Sequence, residues 1–526
     1  MILGIDTGGT NVDAVLVEDG AVVAQAKVPN AGARDSIEAV LSALRRDWTD
    51  PPVERVVVAT TVVTNAALQD GLPGCTNVLI PGPGLSPERL AYGEVLEVLP
   101  GCVDHRGRVT EPLAFDGTPS TPVVAVTSKF AARNASLEHE FRDHVEVEDA
   151  NLALGSESGA DLTFPERAAT TVANAKTKPV FAAYHDDLAA ALAAAGVDAP
   201  VYDLAGDGTM LAEHTLRRTP AHTLRSGVAA STLGLLALTA VEDAVCVDVG
   251  GTTTDVARVA GGYPATDRDA RLGGLEPAYR GVTSVSLPLG GDTRLAAGTD
   301  GPRFTNRREG NAAAFGGEHP TLTDALHVLE AFTDGDVAAA SEAFRLLVDG
   351  DVVVVARAVV DRYVATVASA VDDLAGSDGC RLVLGGVLGA YLADPLADAA
   401  GRIDGWTVPP HAEVAGAVGC AAARVSVEAA VHVDSQRGVL TVSTLGDERE
   451  SAVEVGRTFT DEAVEAIAVK WAQRAAEAAG GDPADRCEVV AADRFNVVED
   501  RQIAGQIVDV RARVVPGYTP ITGAGP

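Results

Sequence analysis

Two stretches of this chain carry the residue types that grip a charged ligand. IDTGGTNVDAVLV runs from Ile5 to Val17, and VDVGGTTTDVARV from Val247 to Val259. At an offset of 242 they match at Asp6/Asp248, Gly8/Gly250, Gly9/Gly251, Thr10/Thr252, Asp13/Asp255 and Val17/Val259, six of thirteen positions. Paired glycines permit positive φ and let a ligand approach the main chain. Successive free N–H groups in such a turn form an anion-binding concavity. The hydroxyls of Thr10, Thr252 and Thr253 add donors. A carboxylate at a strand end, Asp6 or Asp248, can hold Mg²⁺, commonly through water. One copy alone reads equally well as a hairpin whose polar residues satisfy their own turn. Two copies favour a pair of facing loops that hold a polyphosphate and its metal. Neither copy has the glycine spacing of the dinucleotide fingerprint, or the lysine of the P-loop.

The elements that must position these loops follow from apolar patterning. β-Branched runs on both sides of each Gly-Gly predict hairpins. A third strand follows over 21–28, then a helix with Asp35 as its cap and Glu38 closing a capping box. A buried strand over 53–58 leads into a polar loop containing Thr60, Thr61 and Asn65, placed either to line a cleft or to cap the next helix. Helices are predicted over 166–175 and 180–195, and a strand pair over 200–211 turning at Asp207-Gly208. The small-residue run 224–238 is expected between lobes. A third Gly turn ends at Asp292. Gly385, Gly386 and Val387 join a strand to a helix, and suit either close approach to a flat ligand or a compact βα turn. The last hundred residues change to a small α+β pattern.

Composition sets bounds. A chain of 526 residues with 47% hydrophobic content supports several domains. Met1 leads directly into a strand, with no secretory pattern, and the most apolar stretch is too short to span a bilayer. Six widely spaced cysteines read as reduced thiols of a cytoplasmic protein. The net charge is −33, and five of the basic residues are lysine. That field argues against nucleic acid, and its spread along the chain points to a high-salt cytoplasm.

The repeated Asp-Gly-Gly-Thr hairpin with a late Gly-Gly loop resembles the actin, sugar-kinase and heat-shock-chaperone ATPase superfamily. Further stretches occur in the order of the ATP-dependent hydantoinase/5-oxoprolinase family, hydantoinase A type: TTVVTNAALQDG, NASLEHE, ERAATTVANA, LRSGVAASTLG, LGGDT, GNAAAFGG, PTLTDAL and VPPHAEVAGAVGCAAA. The resemblance covers about 2–425. It departs at Asn11-Val12, at Leu289-Gly290-Gly291-Asp292 and at Phe315-Gly316-Gly317, which bears on the substrate.

The resemblance implies an α/β fold of two ribonuclease H-like lobes, 1–190 and 191–425, around a central cleft, with a C-terminal α+β domain over 426–526. It implies ATP-dependent ring opening of a cyclic amide or imide, of hydantoin or 5-oxoproline type, through phosphorylation of the amide oxygen. Gly8, Gly9, Thr10, Gly250, Gly251, Thr252 and Thr253 would bind phosphate. Asp6 and Asp248 would be the catalytic pair that sets Mg²⁺, supported by Asp13 and Asp255. Gly385, Gly386 and Val387 would meet the nucleoside; Thr60, Thr61, Asn65 and Asp292 would face the substrate. A hydantoinase B type subunit is the implied partner, and a homo-oligomer is a further expectation. A small-molecule kinase and an ATP-driven reactivating or assembly factor are the alternatives.

Overall fold

The apolar runs around each Gly-Gly-Thr pair as antiparallel hairpins. Ile2–Thr7 pairs with Asn11–Glu18, and Ala244–Val249 with Thr254–Ala260. The computed structural model describes residues 1–526 except 46–47, 49–51, 116, 160–161, 269–270, 273, 299–300, 349, 378, 446, 453–459 and 523–526. It is a mixed α/β structure with several sheets.

The first hairpin and Ala21–Pro29 form one side of a six-stranded sheet. Arg55–Thr60 joins in parallel on the other side of Ile2–Thr7, followed by Val201–Leu204 and Met210–Ala212. The second hairpin repeats the plan: Cys380–Gly385 lies parallel to Ala244–Val249, and Ile403–Thr407 follows in parallel. Strands of this kind, buried on both faces, read as continuous Val/Ile/Leu runs. A separate, fully parallel sheet contains Val95–Val98, Cys75–Ile80, Val123–Ser128 and Leu152–Leu154. The C-terminal sheet is antiparallel, built from Glu428–Asp434, Val439–Thr444, Asp447–Ala452, Cys487–Glu499 and Gln502–Val514. The helix Asp461–Ala478 packs Val464, Ala468 and Ala472 onto it.

Helices Ser226–Thr239 and Ala415–Ala422 cross between the two hairpin sheets. Both are almost wholly buried and rich in Ala and Gly, which lets their backbones meet. A Cβ on Gly234 would lie 1.8 Å from the Ala415 carbonyl oxygen, and one on Gly419 1.8 Å from that of Ala230. The Ala415–Ala422 helix also rests on the first strand, where a Cβ on Gly4 would meet Ala417 O at 2.2 Å. This crossing fixes the spacing of the hairpins. No helix among the described residues is long and apolar enough to cross a membrane.

Three details differ from the sequence expectation. The two helices predicted over 166–195 are one, Phe164–Ala194, with Pro179 inside it. The missing proline N–H leaves one hydrogen bond unmade, and dense burial of the surrounding turns sustains the helix. The 190/191 division therefore cuts a helix, and it separates the strands over 201–212 from the first sheet that they extend. The first helix runs Ala33–Leu44 with Gly32 as its N-cap, at φ 131°, so Asp35 sits in the first turn instead of capping it. By contrast, Thr321 and Asp324 make a capping box for Leu322–Val328.

The long helix also carries a buried charge cluster. His185, 1% exposed, holds Asp203 Oδ1 through Nε2 at 2.9 Å and faces Glu213 Oε1 through Nδ1 at 3.3 Å. Burial pulls the imidazolium down, but the two carboxylates outweigh it and raise its pKa to about 9. The hydrogen bond from His185 is the main cause holding Glu213 down, at about 2. The stabilisation from His185 is complete below its ordinary 6.5 and is lost as pH rises towards about 9. That from Glu213 is complete above 4.5 and is lost as pH falls towards about 2. The thermal midpoint is thus expected to fall between pH 6.5 and 9. His185→Gln should flatten that segment of the profile; an equally steep fall in the variant would contradict the assignment.

Candidate functional site

Register decides what each hairpin presents. Asp6 stands directly opposite Asp13, and Asp248 directly opposite Asp255. Like charges facing across a ladder are destabilising, so four carboxylates in two such pairs call for a compensating ligand. Burial raises all four: Asp6 well above the usual carboxylate range, Asp13 and Asp248 upward, and Asp255 to about 6. Neighbouring carboxylates add to the effect on Asp6. One cation answers them. Lys27 Nζ lies 2.7 Å from Asp13 Oδ2 and donates to the Glu413 carbonyl at 2.8 Å. Asp6 Oδ1, Asp13 Oδ1 and Asp255 Oδ1 remain buried without a hydrogen-bond partner.

The hairpin tips meet. Thr10 Oγ1 is 2.9 Å from Thr252 Oγ1, so residues related by the 242-residue repeat touch each other. In each turn the first glycine N–H donates across to the chain return: Gly8 to Asn11 O and Gly250 to Thr253 O, both at 3.0 Å. The expectation of positive φ fails here, for none of Gly8, Gly9, Gly250 and Gly251 adopts it. Close packing explains Gly8, Gly250 and Gly251, where a Cβ would lie 3.1 Å from Asn11 O, 3.0 Å from Thr253 O and 3.0 Å from Asp292 Oδ2, but not Gly9, where it would meet only Asn65 Nδ2 at 3.6 Å. The third Gly turn docks on this tip, with Gly291 N donating to Gly250 O at 2.9 Å and Asp292 N to Gly251 O at 2.8 Å. Gly386 does use positive φ, 79°, and a Cβ there would meet Val249 O at 2.2 Å.

A cavity of about 470 Å³ opens between the tips. Asp6, Gly8, Gly9, Thr10, Asp13 and Lys27 line it from the first hairpin sheet, and Asp248, Gly250, Gly251, Thr252, Thr253 and Asp255 from the second. Thr61, Asn65, Asp292, Gly386 and Val387 also reach it. Val387 is 44% exposed. Two expected residues do not line it. Thr60 is 1% exposed and engaged with Ser226 and the N–H of Val62. Gly385 ends its strand behind the Asp248 carboxylate, 3.3 Å from where its Cβ would stand. Thr61 and Asn65 hydrogen-bond each other at 3.1 Å.

Further residues complete the cavity. Lys27 comes from the third strand, Glu413 from the turn before the Ala415–Ala422 helix, Gly416 from its first turn, and Asn311, Phe315 and Phe332 from the loops beyond Asp292; of these, Phe315 is the one the sequence marks as bearing on the substrate. Arg308 Nε lies 3.4 Å from Asp292 Oδ2. None belongs to a repeated motif; the scarcity of lysine is the single sequence signal that could have singled out Lys27.

The sequence model of the hydantoinase/oxoprolinase family matches residues 167–429, and that of its N-terminal region matches 2–86. The chain belongs to the hydantoinase/oxoprolinase family. All of the cavity residues fall within these two matched segments of the hydantoinase/oxoprolinase chain, as do both hairpins. Two solved structures share its fold. A nucleotide-free acetone carboxylase superposes with a TM-score of 0.70 at 15% identity, covering 99% of this chain and 88% of that one. The ATP-dependent caprolactamase from Pseudomonas jessenii gives 0.68 at 17% identity, covering 100% and 89%. A search of curated proteins gave no match.

Among the described residues no group of three or more His, Cys, Asp or Glu side chains converges as a metal cage. The orphaned carboxylate oxygens suit a different arrangement. Mg²⁺ usually takes one or two carboxylates, with water and phosphate completing its octahedron. Asp6, with its orphaned Oδ1, fits that donor set, and Asp248 matches it by its equivalent place in the second hairpin, its carboxylate also taking a hydrogen bond from Ser231.

Proposed function

We propose that this chain is the ATP-dependent, hydantoinase A type component of a cyclic amidohydrolase. In this reading the two hairpin sheets are the cores of two ribonuclease H-like, actin-like lobes. The observation that carries the reading is the tip-to-tip meeting of the repeated hairpins over four carboxylates, Asp13 buried and Asp6, Asp248 and Asp255 half-buried. Family membership supports the reaction class.

The γ-phosphate of ATP would sit against the N–H groups of Gly9, Thr10, Gly251 and Thr252 and the hydroxyls of Thr10, Thr252 and Thr253, while the N–H groups of Gly8 and Gly250 close their own turns on Asn11 O and Thr253 O. Asp6 and Asp248 would hold Mg²⁺, which supplies neutralisation of phosphate charge. Asp13, clamped by Lys27, and Asp255 support that pair. Gly386 and Val387 would cover the nucleoside, while Thr61, Asn65 and Asp292 would face the cyclic amide. Catalysis of phosphoryl transfer is chiefly positioning and charge stabilisation, and this cavity is built from fixed backbone donors. The amide oxygen takes the phosphoryl group and ADP leaves. Water then adds to the activated carbon, the ring C–N bond breaks to leave an acyl phosphate and a free amine, and a second water cleaves that acyl phosphate, so one ATP and two waters yield the ring-opened acid, ADP and phosphate.

A hydantoinase B type subunit is the proposed partner for the hydrolytic half, in the cytoplasm. The test is an ATP-hydrolysis screen in high salt against hydantoin, 5-oxoproline and caprolactam, with and without that subunit. Phosphate and ring-opened acid in equal amounts support the reading. A stable phosphorylated substrate would favour a kinase, and turnover that needs a protein but no cyclic amide would favour a remodelling factor.

A further inference from the structure

A second cavity, of about 760 Å³, lies in the seam between the C-terminal sheet and the body of the chain. It shares no lining residue with the hairpin cavity. Its lining is partly apolar, with Leu211, Val427, Val442 and Trp471, and partly basic, with Arg218, Arg268, Arg280, Arg474 and Arg513 together with His214 and His222. In a chain of net charge −33, such a gathering of arginines around one space runs against the prevailing field.

The two acids that line it are already engaged. Asp207 accepts from Thr209 N at 3.0 Å and from Thr209 Oγ1 at 2.7 Å, and Glu428 holds Arg511 at 3.2 Å. Arg513 is paired outward with Glu488 at 2.7 Å. Arg280 donates only to a neutral hydroxyl, Thr266 Oγ1, at 3.1 Å, and Arg474 lies over the Trp471 ring at 5.7 Å. Among the described residues neither of these two is ion-paired within 4.0 Å. A further polar group points the same way: Ser443 lines the cavity, is 3% exposed, and its hydroxyl has no hydrogen-bond partner.

We propose that this seam is a binding site for a small amphipathic organic anion, a carboxylate or phosphate monoester on an apolar body. Arg280 and Arg474 hold the charged end, Ser443 adds a hydrogen bond, and Trp471 and the aliphatic residues cover the rest. Guanidinium groups match the flat geometry of both head groups, and such charge-assisted bonds are short and strong. The site is independent of the nucleotide reading, because the binding is measured without ATP or a cyclic amide.

The test is calorimetric titration of the full chain with phenyl phosphate, benzoate and neutral benzyl alcohol. Enough salt is used to keep the fold, and a second, higher salt concentration reports screening. One equivalent of phenyl phosphate or benzoate should bind, with the tighter of the two naming the head group. Benzyl alcohol should bind at least about tenfold more weakly. Arg280→Glu with Arg474→Glu should weaken the anion by at least about tenfold, whereas Arg280→Lys with Arg474→Lys should retain binding to a larger extent. Near-UV circular dichroism reports whether each variant is folded. Absence of anion binding by the wild type overturns the proposal. So does undiminished binding by the charge-reversed variant, which would place the anion elsewhere, including the hairpin cavity.

Discussion

Asp248→Asn is expected to lower ATP turnover by at least about a hundredfold while the unliganded chain stays as stable as the wild type or becomes more stable. Asp248 ends a strand opposite Asp255, and burial raises its pKa. An ionised carboxylate held there costs stability, and the amide removes that charge at nearly constant shape. The same charge is the one that would meet Mg²⁺. Steady-state ATP hydrolysis and urea-induced unfolding separate the two effects. Unchanged turnover in a folded variant would remove this hairpin from the active site, and a large loss of stability would show that the carboxylate holds the fold.

Gly419→Val is expected to have the largest effect on stability. Its Cβ would lie 1.8 Å from Ala230 O and 2.8 Å from Gly234 N, both backbone atoms that cannot rotate away. The two central helices would have to separate, and Ala417, Val418 and Ala421 pack on the first sheet from the same helix. Forced overpacking of a core usually costs about 1–3 kcal/mol, and a backbone clash at a helix crossing belongs at or above the top of that range. The urea midpoint should fall markedly, or the chain should fail to accumulate as folded protein. A midpoint within experimental error of the wild type would show that the crossing can relax, and that it does not fix the distance between Thr10 and Thr252.

Much of this was legible in the sequence because the hairpins repeat. Two Asp-Gly-Gly-Thr copies 242 residues apart predict two equivalent turns, and they meet tip to tip. The opposition of Asp6 to Asp13 was not legible, since register depends on how tightly the turn closes. Nor was Lys27, which reaches Asp13 from a neighbouring strand and belongs to no motif. Adjacent Thr60 and Thr61 look alike in sequence, yet Thr60 ends its strand in the core and Thr61, the cap of the helix that follows, reaches the cavity. Pro179 hid the continuity of the long helix because a proline is the usual reason to end one. The C-terminal seam was invisible for a simpler reason. Its arginines come from positions between 218 and 513 and gather only when the C-terminal sheet folds back on the body.

The central claim is that ATP phosphorylates the oxygen of a cyclic amide in the hairpin cavity. It is tested most directly by following that oxygen. A cyclic amide that supports turnover, labelled with ¹⁸O at its carbonyl, is incubated with ATP, Mg²⁺ and the chain, together with the partner subunit if turnover requires it. The released phosphate is then weighed by mass spectrometry. The account predicts one ¹⁸O atom in each phosphate formed. Unlabelled phosphate released together with ring-opened product, in a reaction from which hydroxylamine traps no acyl phosphate, would contradict it.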